Sequence, residues 1–221
     1  PLDAASLAAA FRYATDWLGV HIDEVNALNV YPVPDGDTGT NMHLTMQSVR
    51  RQLAEEDPQD MAVRGHALAY GSLLGARGNS GVILSQILKG FAEAIREQGE
   101  LDAAALTRAL RMATDSAYAA VMKPVEGTIL SVCRALAEHA AAVEGDVDAL
   151  DLLRSAHEAG ELALERTPEQ LPLLKQAGVV DAGGLGLLRI LEGLIAHYEQ
   201  RDLPPPPKVE RRAQEQFEEE A

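Results

Sequence analysis

Apolar residues in this chain recur at helical spacing. Met42, Met46, Val49 and Leu53 fall at i, i+4, i+7 and i+11, and Ile129, Val132, Leu136, Ala140 and Val143 keep a similar period, so each set makes one stripe along a helix. Comparable stripes over 5–28, 61–74, 81–96, 103–121, 150–164 and 185–198 bring the predicted total to about eight helices. The segment 82–91 is apolar almost all round (Val82, Ile83, Leu84, Ile87, Leu88), which predicts burial on more than one side and a central place. Ala and Leu dominate the apolar set while β-branched residues are sparse and aromatics reach only 4%, a balance that favours helix over strand. The expected fold class is therefore all-α. Phe11 and Trp17 suit packing of the first helix, and Cys133, mid-helix among Val132, Leu136 and Ala137, reads as a small core residue.

The punctuation between the stripes carries more information than the stripes. Glycine and polar residues gather at 29–41, 75–81, 123–128 and 178–186 instead of spreading evenly. A run of four prolines, Pro204 to Pro207, cannot sit inside a helix and marks a domain exit. Residues 1–200 are thus expected to form one helical domain, with a Pro-rich and then highly charged linker over 201–221. The opening Pro1 predicts that the first residues of the native chain lie outside this sequence.

The richest chemistry lies in the first loop, Asn29-Val30-Tyr31-Pro32-Val33-Pro34-Asp35-Gly36-Asp37-Thr38-Gly39-Thr40-Asn41-Met42. Two prolines stiffen its approach, and Asp35 and Asp37 flank a glycine, so in an extended backbone both carboxylates point to one side. That outlines a site for Mg²⁺, which binds through one or two carboxylates together with phosphate oxygens and water. Asn29 could add a carbonyl oxygen. Thr38 or Thr40 stands where a helix N-cap is expected, and the free amides of that helix favour a phosphate. The alternative is a turn that ends in a capped helix and binds nothing. A calcium EF-hand is a poorer fit, because the twelfth residue from Asp35 is Met46 and not a bidentate Glu.

The second loop, Gly75-Ala76-Arg77-Gly78-Asn79-Ser80-Gly81, runs into the most apolar helix and suits close approach of backbone amides to an anion. It is not a P-loop, since the Gly-Lys-Ser/Thr ending occurs nowhere in the chain. Net charge sharpens the picture: 34 acidic against 19 basic residues leave −15, which argues against nucleic acid or anionic membrane as partners. Such a chain can hold a polyphosphate by placing metal ions between carboxylates and phosphate oxygens. No segment approaches the about 20 apolar residues of a membrane span, so no membrane insertion is expected. A single cysteine and the absence of a secretory pattern make a cytoplasmic location the expectation. The six histidines show no paired metal spacing, and only His43 lies near the aspartate pair. Arg77 and Glu126 stand in polar loops where a ligand contact and a solvated side chain are both open readings.

The segments 29–42, 75–84 (Gly-Ala-Arg-Gly-Asn-Ser-Gly-Val-Ile-Leu), 123–130 (Lys-Pro-Val-Glu-Gly-Thr-Ile-Leu) and 178–184 (Gly-Val-Val-Asp-Ala-Gly-Gly) together resemble the ATP-binding domain of bacterial fatty acid kinase subunits. Those subunits fall in the dihydroxyacetone kinase L-subunit superfamily. The resemblance runs in matching order over residues 7–196. It implies an antiparallel barrel of about eight helices, with ATP or ADP held by loops at one end and two Mg²⁺ ions bridging phosphates to aspartates. By motif, Asp35 and Asp37 would be metal ligands. Asn29 would be the third, at a spacing one residue longer than in the dihydroxyacetone kinase relatives, which have an aspartate there. Those relatives also carry His where this chain has Thr38. Gly78, Asn79, Ser80 and Gly81 would contact phosphates with Thr38 and Asn41, while Thr128, Asp181 and Gly183 would shape the nucleoside side.

The activity so implied is transfer of the γ-phosphoryl group to the carboxylate of a fatty acid held by a separate fatty-acid-binding protein, giving an acyl phosphate. The resemblance also implies a middle domain and a DegV-like C-terminal domain in the same subunit, so this chain is expected to be a fragment. Two other readings stay open: a dihydroxyacetone kinase L-type phosphoryl carrier, which Thr38 and the prolines argue against, and a noncatalytic nucleotide-sensing adaptor.

Overall fold

The computed structural model describes residues 2–55, 60–96 and 100–209, and it is built from helices. Eight are long: α1 (Ala4–Val20), α3 (Thr38–Glu55), α4 (Met61–Gly75), α5 (Gly78–Ile95), α6 (Ala103–Ala119), α7 (Ile129–Ala142), α8 (Ala149–Glu165) and α11 (Ala182–Tyr198). Three short ones, α2 (Ile22–Ala27), α9 (Thr167–Gln170) and α10 (Pro172–Ala177), lie in connections. The single stripe predicted over 5–28 is thus two helices, because the chain turns at His21, whose N–H closes α1 on the Leu18 carbonyl. Among the described residues the only β pairing is one bridge between Leu2 and Leu101.

Most of the long helices begin on a polar side chain that satisfies their free amides. Asp3 caps α1 through the Ser6 N–H at 2.7 Å, Asp60 caps α4 through Ala62 at 2.8 Å, Asp102 caps α6 through Ala105 at 2.7 Å and Asp148 caps α8 through Leu150 at 2.8 Å. Thr128 and Asp181 cap α7 and α11 in the same way. The start of α5 departs from this pattern, since Arg77 occupies its N-cap without a side-chain hydrogen bond.

The long helices pack in the ring order α1, α3, α4, α5, α6, α7, α8, α11, and α11 closes the circle against α1. Neighbours run antiparallel, as cross-helix pairs show. Thr15 meets Met46 while Gly19 meets His43 between α1 and α3; Ser72 meets Ser85 while Gly65 meets Arg96 between α4 and α5. Thr114 meets Cys133 while Thr107 meets Ala140 between α6 and α7, and Ser6 meets Tyr198 while Ala14 meets Gly193 between α1 and α11. The inward stripes merge into one core that includes Phe11, Met42, Met46, Leu84, Leu106, Leu136 and Leu188. Cys133 lies within it, 1% exposed, and burial pushes its thiol up to about 11, as a core residue requires.

The expected central helix is not central. α5 is one member of the ring, between α4 and α6. Its all-round apolar character has another cause: Leu84, Ile87 and Leu88 face the core, while Val82, 48% exposed, and Ile83 line a cavity at the ring's end.

α5 and α6 approach so closely that a Cβ at Gly90 would penetrate the Met112 carbonyl oxygen. Gly90→Val is expected to destabilise the fold by at least about 1–3 kcal/mol, the usual penalty for overpacking. Urea midpoints at constant m-value measure it, and an unchanged midpoint would show that the two helices part at no cost.

Candidate functional site

The alternation of the ring brings the starts of α3, α5, α7 and α11 to one end, and there the four glycine-rich loops enclose a cavity of about 550 Å³. Asn29, Asp35, Asp37, Thr38, Asn41, Gly78, Asn79, Ser80, Thr128, Asp181 and Gly183 all line it. Gly81 does not. It is buried one turn into α5, where its missing side chain leaves room for the Thr45 hydroxyl. Its role here is to let α5 sit close to α3.

The first loop is held by amides. Asn29 is 2% exposed; its Oδ1 accepts from the Asp37 N–H at 3.0 Å and the Thr38 N–H at 3.2 Å, and its Nδ2 donates to the Val33 carbonyl at 2.9 Å. Asn29, expected as the third metal ligand, here fixes the loop that carries the aspartates. Asn26 on α2 does the same one turn on, accepting from the Thr40 N–H and donating to its hydroxyl. The expected N-cap shifts as well: α3 starts at Thr38, and the Asp37 carbonyl accepts from the Asn41 N–H at 2.8 Å. Val30 anchors the loop from behind by packing on Leu174 and Val179.

Asp35 and Asp37 face each other across Gly36, which turns the chain at a φ of 66°. Desolvation and the adjoining Asp37 carboxyl raise the Asp35 pKa above the ordinary carboxylate value. Two carboxylates forced together in this way are relieved by a cation between them. Among the described residues no three His, Cys, Asp or Glu side chains converge on a metal position. The pair therefore suits an ion that takes its remaining ligands from phosphate and water, as Mg²⁺ does, and not a closed protein cage.

The second loop offers its backbone. The first amides of α5 have no side-chain cap, and Gly78, at a φ of 59°, sits against the Asn41 amide, where a side chain would collide. Asn79 and Ser80 line the cavity beside it. Arg77 turns away to the Ala76 carbonyl.

The loop between α6 and α7 was less legible in the sequence. Ala120, Val121, Met122, Lys123 and Val125 line the cavity, and no local pattern in the sequence marks them as site residues. The loop is clamped by Glu126, which accepts a bidentate pair from Arg134 at 2.9 and 3.0 Å, the Tyr118 hydroxyl at 3.1 Å and the Ser131 hydroxyl. Burial raises the Glu126 pKa, but these donors outweigh it and hold the carboxyl below its usual range. Glu126 is an anchor, and the partner that reveals this, Arg134, lies two turns into the next helix. His43 packs over Gly19 on α1, outside the cavity lining.

Asp181 forms the floor. It is 5% exposed; its carboxylate accepts the Gly184 N–H at 2.8 Å and the Ile129 N–H, so it joins the starts of α11 and α7. Burial nevertheless pushes it up to about 6.

These features define a helical barrel with a polar, carboxylate-bearing cavity at one end, and the chain belongs to the DAK2 domain family, whose model matches residues 32–196. Protein YloV of Bacillus subtilis is 46% identical over 204 residues, which cover 92% of this chain and 37% of that protein. The uncharacterized protein SSP1546 of Staphylococcus saprophyticus is 47% identical over 180 residues, or 80% of this chain and 32% of that protein. The chain thus spans about a third of the length of these relatives. In structure it resembles the dihydroxyacetone kinase of C. freundii in complex with AMP-PNP and Mg²⁺, with a TM-score of 0.65 at 19% identity over 88% of this chain and 34% of that one. The chain therefore shares its fold with about a third of that dihydroxyacetone kinase chain. Among the described residues no helix is long and apolar enough to cross a membrane.

Because the folded pKa of Asp181 lies above the ordinary 3.8, its protonated form favours folding, and that contribution is lost as pH rises through about 6. Asp181→Asn removes this dependence. Between about pH 4 and 7 the stability difference between variant and native protein is expected to move in the variant's favour by about 1–3 kcal/mol. Urea unfolding at several pH values checks it; a pH-independent difference would contradict the buried, unpaired carboxyl.

Proposed function

We propose that this chain is the MgATP-binding domain of a phosphotransferase that transfers the γ-phosphoryl group of ATP to the carboxylate of a fatty acid carried by a separate fatty-acid-binding protein. The observation that carries the nucleotide part is the meeting of Asp35 and Asp37 with the uncapped amides of α5 in one cavity. Carboxylates alone repel a polyphosphate. Asp35 and Asp37 would hold Mg²⁺, two ions by the family resemblance, which when bound neutralises phosphate charge and screens the developing charge on the leaving oxygen. The α5 amides, with Asn79 and Ser80, orient the phosphate chain. Asn41 and Thr38 support the same wall, and Thr128, Asp181 and Gly183 border the space left for the nucleoside. The apolar floor of Ile129 and Leu130 suits a flat base.

In the reaction the bond from the γ-phosphorus to the β,γ-bridging oxygen breaks, and a bond from phosphorus to a carboxylate oxygen forms. An ionised carboxylate has no proton to surrender, so the site needs no general base, and the cavity offers positioning and charge neutralisation instead. The acyl acceptor rests on the motif resemblance, in particular Thr38 where the dihydroxyacetone kinase relatives carry His. The middle and DegV-like domains implied by that resemblance would supply docking for the fatty-acid-binding protein, in the cytoplasm.

Calorimetric titration of AMP-PNP with and without Mg²⁺ tests the nucleotide site. Binding is expected to require Mg²⁺ and to weaken at least about tenfold in Asp35→Asn and in Asp37→Asn, since each removes one of two metal carboxylates. Equal binding with and without the metal would sink the reading. For the acceptor, acyl phosphate formation with the fatty-acid-binding protein is expected from the full-length subunit and to be slow or absent with this chain alone. Rapid turnover by the chain and carrier alone would contradict the division of labour.

A further inference from the structure

The cavity is lined by three carboxylates and, among the described residues, by one cation, Lys123. The chain has four lysines, so this placement is a scarce charge used at one point. In a protein of net charge −15, Lys123 makes no hydrogen bond or ion pair with any described residue, whereas Lys89 pairs with Glu93. Its backbone is nevertheless fixed. Glu126, three residues on, is tied to Tyr118 before the loop and to Ser131 and Arg134 after it. The Val121 and Val125 side chains are half-buried on either side of Lys123. A free ammonium on a clamped loop at a cavity mouth is placed for an anion from outside the chain.

The ring also decides which anion. The α6–α7 loop ends at α7, which stands four places round the eight-helix circle from α3, so Lys123 faces the cavity from the side opposite Asp35 and Asp37. Lys123 and Asp35 are both exposed, whereas Asp181, Ile129 and Leu130 are buried at the floor. The charged end of a nucleotide would then lie at the mouth, where an acceptor must reach it.

We propose that Lys123 recognises the terminal phosphate: its ammonium group contacts the non-bridging oxygens of the γ-phosphoryl group from the wall facing Asp35 and Asp37, an assignment that rests on the nucleotide reading above. Metal ions held by the aspartates would compensate the phosphoryl group from their own side, and among the described residues the facing wall carries no cation but Lys123. A cation there stabilises the charge in the bound nucleotide and as the phosphoryl group transfers. Lys123 thereby sets the preference of the site for a triphosphate over a diphosphate.

The test compares calorimetric affinities for Mg·AMP-PNP and Mg·ADP in the native chain, Lys123→Met and Lys123→Arg, with thermal unfolding to verify that each variant folds. Lys123→Met is expected to lose about tenfold or more in affinity for Mg·AMP-PNP and less than about threefold for Mg·ADP, as removal of one charge-assisted contact predicts. Lys123→Arg, which keeps the charge, should stay within about threefold of native for both. Equal losses for the two nucleotides, or no loss for either, in a protein whose native form binds both would overturn the assignment and leave the nucleotide site standing. Failure of the native chain to bind either nucleotide would instead overturn the nucleotide reading, and this assignment with it.

Discussion

Antiparallel packing round a closed ring with an even number of helices governs everything else in this molecule. Each helix must run against both neighbours, and with eight members the alternation closes without conflict, so α3, α5, α7 and α11 all start at one end. Helix starts expose N–H groups and the positive end of the backbone dipole, so four of them gather at the end that also carries Asp35, Asp37 and Asp181. A ring that failed to close, for instance by separating α11 from α1, would scatter the same loops over the surface. The glycines at the helix crossings, Gly90 against Met112 and Gly193 against Ala14, set the spacing that lets the ring close.

Within that frame the site is built from fixed parts. Polar side chains, not regular structure, hold the loops: Asn29 and Asn26 pin the aspartate loop, Glu126 pins the α6–α7 loop, and Asp181 bridges two helix starts. Each satisfies backbone donors or a guanidinium that would otherwise be left without partners, so each favours one loop conformation over the alternatives. A second network, in which Arg189 on α11 binds Glu24 of α2 at 2.8 Å and Glu192 at 2.8 Å, ties the helix that leads into the aspartate loop to the last helix of the ring. Burial opposes ionisation of Glu24, but its bonds to His21 and Arg189 prevail and hold the carboxyl down at about 2. The Asp35 and Asp37 carboxylates, the α5 amides that lack a side-chain cap and the Lys123 ammonium all border the cavity. That division separates side chains that hold the structure from those that remain open to a ligand.

The sequence by itself determined the helical class, the eight long stripes and the four loops, because a 3.6-residue apolar period and clusters of Gly, Pro, Asp and Asn are local signals. It also singled out the aspartate pair and the small-residue loop, whose spacing is contained in a few residues. What it did not determine depends on contacts between distant segments. Asn29 carries the same amide whether it binds a metal or two backbone N–H groups, and only the fold of its own loop brings the Asp37 and Thr38 N–H groups to its oxygen. Gly81 reads like its neighbours, yet the helix had already carried it inward against Thr45. The apolar surround of 82–91 resembles that of a central helix, and tertiary structure assigned its extra face to the cavity. Glu126 and Lys123, three residues apart in one loop, became an anchor and a free charge only once Arg134 and the far wall of the ring were in place. Periodicity is a property of neighbours along the chain, whereas a side chain's role is decided by the partners that folding brings to it.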